Sequence, residues 1–144
     1  MLLSWIIAGF LVLMTVVIHY EALRLLDWCV RRLDGLHRLR IVFIVLGCFV
    51  AHIIEVTLFA AVTYAAAMSL DIGTIKGTLG HGFGDYLHLS LESYTSLGLG
   101  DVYPTGNLRL LIGIEALIGL MMITWSASFT FLEMKSLWDD HNDP

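Results

Sequence analysis

The chain reads as an all-α membrane protein with three transmembrane helices and a short re-entrant helix and loop between the last two. Three observations predict this. Long apolar runs recur near residues 2–18, 41–70 and 109–132. Between the second and third lies a helix-sized segment, residues 86–95, far too short to cross a bilayer. Hydrophobic residues fill 58% of 144 positions and charged ones only 15%, where a soluble domain is about a quarter charged; mean hydropathy is +0.80.

Residues 2–18 carry no charge, and as helix they span about 26 Å, at the short end for a crossing. No basic residue precedes this run and no small-residue cleavage site follows it, so it reads as a retained first span rather than a signal peptide. Residues 19–40 hold Arg24, Arg31, Arg32, Arg38 and Arg40, five of the eight Lys and Arg of the chain, with leucines at 23, 26, 33 and 36. This pattern predicts a basic amphipathic helix at a membrane surface, with anionic lipid as a candidate partner. Glu21, Asp27 and Asp34 are mixed in, which argues against a voltage sensor.

Residues 41–70 form a second span, too long for the hydrocarbon core without tilt or projection; Tyr64-Ala65-Ala66-Ala67 marks close packing near its outer end. Glycines at 73, 77, 80, 82 and 84 predict a loop, after which Asp85 is placed to cap a helix from Tyr86 to Thr95. Residues 109–132 form the third span, and a polar tail follows. The units are thus 1–40 (first span and basic helix), 41–134 (two spans with the intervening loop) and 135–144 (tail). The positive-inside rule puts the basic segment and the C-terminus in the cytoplasm and the N-terminus outside, in a multi-pass cell (inner) membrane protein. The net charge of −5 excludes a nucleic-acid binder. Cys29 and Cys48 have no metal or disulfide spacing and read as packing residues.

The loop after the short helix runs Thr95-Ser96-Leu97-Gly98-Leu99-Gly100-Asp101-Val102-Tyr103-Pro104. Irregular backbone survives at membrane depth only when it is buried in protein or lines a watery cavity. Alternating glycines let carbonyls point one way, and stacked carbonyl rings can replace the hydration shell of a cation.

Thr95 to Asp101 resembles the potassium-channel signature, in which a threonine and a small apolar residue precede Gly-Tyr-Gly-Asp. The resemblance covers residues 85–132 and extends to Val102-Tyr103-Pro104, to Glu92 at a pore-helix acid found in some bacterial channels, and to Gly119 at the inner-helix gating glycine if one loop residue is missing. It is to small bacterial ion-channel-family proteins with one pore loop per chain. It implies a homotetramer, with K+ as the permeant ion and no other cofactor, and potassium sites at Ser96, Leu97, Gly98 and Leu99 below a mouth at Gly100. Glu92 and Asp101 would stand behind this filter, and Gly119 would serve as a gating hinge; Glu115, by its own position about six residues inside the outer end of the last span, reads as a structural acid behind the filter rather than a pore-facing ring. The pore helix would aim the negative end of its dipole at the cavity. Two residues depart from the signature. Leu99 replaces the tyrosine that braces the filter, and Ser96 replaces the inner threonine; the carbonyl ligands belong to the backbone and persist.

Glu55 and Glu115 lie inside spans, where a charge costs about 2.5–3.5 kcal/mol or more. Each needs a partner, a proton or a wet cavity. His52 and Glu55 share a helix face, as a proton-sensitive gate or an interhelical hydrogen-bond clamp. Thr124, Ser126 and Ser128 either line a cavity or pack helices together. Trp125 and Trp138 fit interfacial anchors, and His81 and His88 fit either pH sensing or solvated surface. A potassium channel, a weakly selective cation channel and a non-conducting subunit that retains the pore fold all fit the chain. An intramembrane enzyme using His52, Glu55 and Glu115 lacks a nucleophile or metal constellation.

Overall fold

The computed structural model describes residues 1–32, 37–77 and 82–142. Leu33, Asp34, Leu36, Gly80, His81 and Asp143, and the side chains of Arg38, Trp138, Asp139 and Asp140, lie outside the described residues. In order the elements are α1 (Leu2–Val30), α2 (His37–Ser69), β1 (Ile75–Gly77), α3 (Phe83–Tyr94), β2 (Val102–Pro104) and α4 (Leu108–Asn142). Three of the helices, α1, α2 and α4, are long and apolar enough to cross a membrane, so the chain is an all-α membrane protein of three spans with α3 between the last two.

The long helices pack as a three-member bundle with α3 wedged between α2 and α4. Along α1 the inward residues are Ser4, Ala8, Leu11, Thr15, His19, Leu23, Leu26 and Val30, a stripe at steps of three and four that a single helix face produces. Leu23, Leu26 and Val30 meet Ile44 and Cys48 of α2, with Trp125 and Phe129 of α4 alongside. Further along, Leu11 meets Val56 and Phe59 of α2, Tyr94 of α3, and Leu111, Ile118 and Met122 of α4. As α1 is followed backward, α2 therefore runs forward and α4 backward: α1 lies antiparallel to α2 and parallel to α4. The outward face is apolar, with Trp5, Ile6, Phe10, Leu13 and Val17 exposed. A face of that kind suits lipid.

Residues 19–30 correct the expectation of a separate surface helix. They continue α1 without a break, because Leu23, Leu26 and Val30 find partners on α2 and α4 rather than at a membrane surface. The charged residues of this stretch turn outward and pair among themselves. Arg31 Nε donates to Asp27 at 2.9 Å, Arg24 reaches Glu21 at 3.4 Å, and the Arg32 guanidinium stacks 3.4 Å above the Trp28 ring. At the other end of the chain α4 runs unbroken to Asn142, so the residues after 132 prolong the helix.

The segment 71–84 is only partly a loop. β1 pairs antiparallel with β2, Ile75 opposite Pro104 and Gly77 opposite Val102, and Thr105 N–H donates to the Thr74 carbonyl at 2.7 Å. The chain leaving α2 is thereby tied to the chain entering α4. Helix α3 begins at Phe83, three residues earlier than the sequence suggests. Asp85 is its third residue, and its carboxylate accepts the Gly82 N–H at 3.0 Å, reaching back over the first turn. Beside it Ala67, Ile75, Tyr86, Leu89, Val102 and Leu108 form a second core, and the Tyr64 ring meets those of Phe83 and Tyr86 edge-on at 5.9 and 5.3 Å.

Gly119 is the point where α4 touches the end of α3. A Cβ there would overlap the Tyr94 carbonyl oxygen and ring. This gives opposite signs to two roles for the residue. A glycine needed only for bending gains about 0.5–1 kcal/mol on replacement by alanine in a helix, whereas an overpacked site loses about 1–3 kcal/mol. Gly119→Ala is expected to lower the thermal unfolding midpoint of the purified protein; a raised midpoint would contradict the packing role.

Candidate functional site

The loop expected to carry function begins where α3 stops. Thr95 closes the helix with right-handed dihedrals, its N–H bonded to Leu91 at 3.2 Å, and Ser96 N–H reaches Ser93 at 2.9 Å. From there φ alternates. Ser96, Gly98 and Gly100 take positive values of 57°, 57° and 82°, and the residues between them do not. Alternation of this kind turns successive amides to one side and the carbonyls to the other. Glycine adopts it freely, whereas Ser96 gives up about 1–2 kcal/mol for the left-handed position.

The amide side of the segment faces one residue. Leu97 N–H donates to the Glu92 carbonyl at 2.8 Å, and Leu99 N–H donates to Glu92 Oε2 at 3.1 Å. Among the described residues, the carbonyls from Ser96 to Gly100 accept no hydrogen bond within the chain. The Leu97 and Leu99 side chains are 63% and 62% exposed. Glu92, on α3 and 4% exposed, thus holds the two amides that fix the carbonyl row.

Behind the loop, His88 Nε2 lies 2.5 Å from Glu92 Oε1 and 3.5 Å from Asp101 Oδ2. Asp101 Oδ1 accepts the Val102 N–H at 3.0 Å. Desolvation pushes the Asp101 carboxyl up, but hydrogen bonding with Glu92 and the backbone, together with the nearby His88 imidazole, outweighs it and holds the carboxyl below its ordinary range.

Glu115 faces α3 from α4 and is fully buried. Its Oε1 meets the Ser90 hydroxyl, and the same hydroxyl lies 2.8 Å from the Val56 carbonyl of α2. A hydroxyl has one hydrogen to give. The chain of contacts is complete when Glu115 carries a proton, donates it to Ser90 Oγ, and Ser90 donates on to Val56. An uncharged acid also lessens the cost of leaving Glu115 Oε2 buried without a partner.

A second polar centre gathers His52 and Glu55, paired on one face of α2, with Ser126 and with His19 and Tyr94, which sequence reasoning missed. His19 Nδ1 of α1 lies 2.9 Å from Glu55 Oε1, the Tyr94 hydroxyl donates to Glu55 Oε2, and His52 Nδ1 lies 2.9 Å from the Tyr94 oxygen. Ser126 Oγ of α4 stands 3.3 Å from His19 Nε2 and 3.1 Å from His52 Nε2. His19, Glu55 and Ser126 are buried. His19 had one legible signal: it stands on the same helical stripe as Leu11, Leu23 and Leu26. Tyr94 carried none, since its partners lie 39 or more positions away, and Ser126, expected to line a cavity or pack helices, stands between α4 and the His19 and His52 rings.

Two long apolar helices flanking a short helix and an irregular loop define a pore-loop membrane protein. The family model described as ion channel matches residues 41–135, and the chain belongs to that family. It is a small, potassium-channel-like member, and the family points to transport rather than enzymatic work. The match begins in α2, so α1 lies outside it. No curated protein and no solved structure matches the chain.

The protonated reading of Glu115 separates two substitutions. Glu115→Gln keeps an uncharged side chain with a donor for Ser90 and is expected to unfold within about 1 kcal/mol of the parent, the worth of a single exchanged hydrogen bond. Glu115→Ala leaves a cavity and a Ser90 hydroxyl whose one remaining partner is the Val56 carbonyl, and is expected to cost about 2–5 kcal/mol, the range for large-to-small changes in a core, with a matching loss of assembled protein. Thermal unfolding with size-exclusion yield reads both, and an equal loss from the two variants would overturn the protonated reading.

Proposed function

We propose that four copies of this chain surround an axis and form a potassium-selective channel that conducts through the segment Ser96–Asp101. The observation that carries this is the alternating backbone: three left-handed residues at every second position, with the amides held by Glu92 and the carbonyls left without donors. One loop cannot encircle an ion. The exposed Leu97 and Leu99 side chains and the unpartnered carbonyls both call for neighbours around a shared axis, and cyclic symmetry supplies them.

In this reading the carbonyls of Ser96, Leu97, Gly98 and Leu99 replace the hydration shell of K+, aided at the inner end by the Ser96 hydroxyl, and Gly100 forms the mouth. Glu92 supports the row through the Leu99 amide, which offsets part of what a tyrosine hydroxyl would supply. Glu115 supports it one step further back through Ser90. Gly119 seats α4 against the residue before Thr95, so a bend of α4 there shifts the footing of the filter. The N-terminus and the loop side face outward in the inner membrane, and the outward-turned arginines of α1 lie at the cytoplasmic end, within reach of anionic headgroups.

Flux tests the proposal. Protein in liposomes is expected to dissipate a potassium gradient, and sodium is not expected to substitute. Equal flux of both ions would make the pore a weakly selective cation channel. Absence of flux under every gradient, pH and voltage would make the chain a non-conducting subunit that keeps the pore fold. Glu92→Ala removes the acceptor of the Leu99 amide and is expected to lower the potassium-over-sodium ratio while tetramer yield is retained; an unchanged ratio would remove Glu92 from the filter's support.

A further inference from the structure

His19, His52, Glu55, Tyr94 and Ser126 come from all four helices and meet in one buried cluster. Five close contacts join them: His19 Nδ1 to Glu55 Oε1, Tyr94 Oη to Glu55 Oε2, His52 Nδ1 to Tyr94 Oη, and Ser126 Oγ to each of the two Nε2 atoms. Each contact needs a hydrogen between its two heavy atoms. With the carboxylate ionised and the rings neutral, Ser126, Tyr94 and the two imidazoles supply one hydrogen apiece. One contact then sets lone pair against lone pair whichever tautomers are chosen. The cluster is complete only with one further cation.

Two features favour a metal ion over a lone proton. Donor atoms of His19, His52 and Glu55 all lie within 4.8 Å of one another, and two imidazoles with one carboxylate are a donor set that zinc and related divalent ions take. The Tyr94 oxygen, 2.9 Å from His52 Nδ1, is a fourth donor within reach. The second feature is Ser126. Thr124, Ser128 and Thr130 of the same helix each donate to the carbonyl four residues back, but Ser126 turns to the rings. Its two lone pairs can accept Nε2–H from both, which leaves both Nδ1 atoms bare toward Glu55. Outer hydrogen bonds of this kind fix the tautomer of metal-bound histidines. His52 keeps 18% of its side chain exposed, so the cluster is not sealed within the chain.

We propose that His19, His52 and Glu55 bind one divalent transition-metal ion per chain, zinc by donor type, at the crossing of the four helices. Tyr94 holds the carboxylate and Ser126 orients both rings. Because Tyr94 directly precedes Thr95, the ion braces the helix that ends at the filter loop. Conduction is not needed for the site to exist, so its test is independent of the channel reading.

The experiment uses tag-free, full-length protein in detergent, stripped with chelator and loaded with Co2+. One Co2+ per chain is expected, with the intense visible absorption of a low-coordinate site, bleached by added Zn2+. At a free Zn2+ concentration 100 times its Kd, the unfolding equilibrium is expected to shift about 100-fold toward the folded state. Glu55→Gln and His52→Ala should abolish the band, and Ser126→Ala should weaken binding about 10–100-fold. His88, Glu92 and Asp101 form another group of donors, so His88→Ala must keep the band; its loss would place the ion behind the filter loop and overturn the proposal. Should His52→Ala fail to fold, the parent protein still decides. Absence of both band and bound metal there would mean that the cluster holds only a proton, which also overturns the proposal.

Discussion

A backbone carbonyl needs a polar partner, and the carbonyls from Ser96 to Gly100 form an exposed row that, among the described residues, finds no donor within the chain. Much of the packing around it serves to keep that row in place. The alternating dihedrals turn the amides to the protein side, where Glu92 takes two of them through a carbonyl and a carboxylate oxygen. Glu92 is itself fixed by α3, which α2 and α4 clamp at Tyr86, Leu89, Ser90 and Tyr94. After the loop, the β1–β2 pair returns the chain to α4 with two short strands rather than a free linker. The carbonyl row is held by α3, by the helices that clamp it and by the strand pair.

The same economy governs the buried acids. Neither Glu55 nor Glu115 is left as an isolated charge. Glu115 closes a linear chain through Ser90 to a backbone carbonyl, a geometry that an uncharged acid completes. Glu55 receives contacts from two helices besides its own and stays next to imidazoles. One acid therefore fastens α4 to α3 and α2, and the other fastens α1 to the bundle. Polar contacts of this sort are worth roughly 0.6 kcal/mol on average in a membrane. Their shared value is position: they fix which face of each helix turns inward, a choice that apolar surfaces alone leave open in lipid.

Much of this was legible in the sequence. Span positions follow from the length of apolar runs, and the loop follows from the glycine alternation at 98 and 100, because both are local signals. The early start of α3 and the β1–β2 pairing were not legible, since three-residue strands in a glycine-rich stretch leave no periodic trace. Residues 19–30 misled for a different reason. Leucines at 23 and 26 with arginines opposite describe a surface helix and a packed helix equally well; what decides is Ile44 and Cys48 on one neighbour and Trp125 and Phe129 on another, all distant in the chain. The polar centre was half visible, with His52 and Glu55 read as a pair on one turn, while His19, Tyr94 and Ser126 belong to helices that only the fold brings there.

The inward stripe of α1 also sets an order of assembly. His19 and Ser126 stand 107 positions apart, so during synthesis α1 enters the bilayer long before α4 exists. Through that interval Ser4, Thr15 and His19 face either lipid or the α2 surface alone. Helix α2, linked directly to α1, supplies Glu55 and His52 first, and the α1–α2 hairpin can shield its polar groups while α3 and α4 are still being made. Such an early, local pairing keeps the loop-closure cost low and lets the last helix dock onto a face already formed.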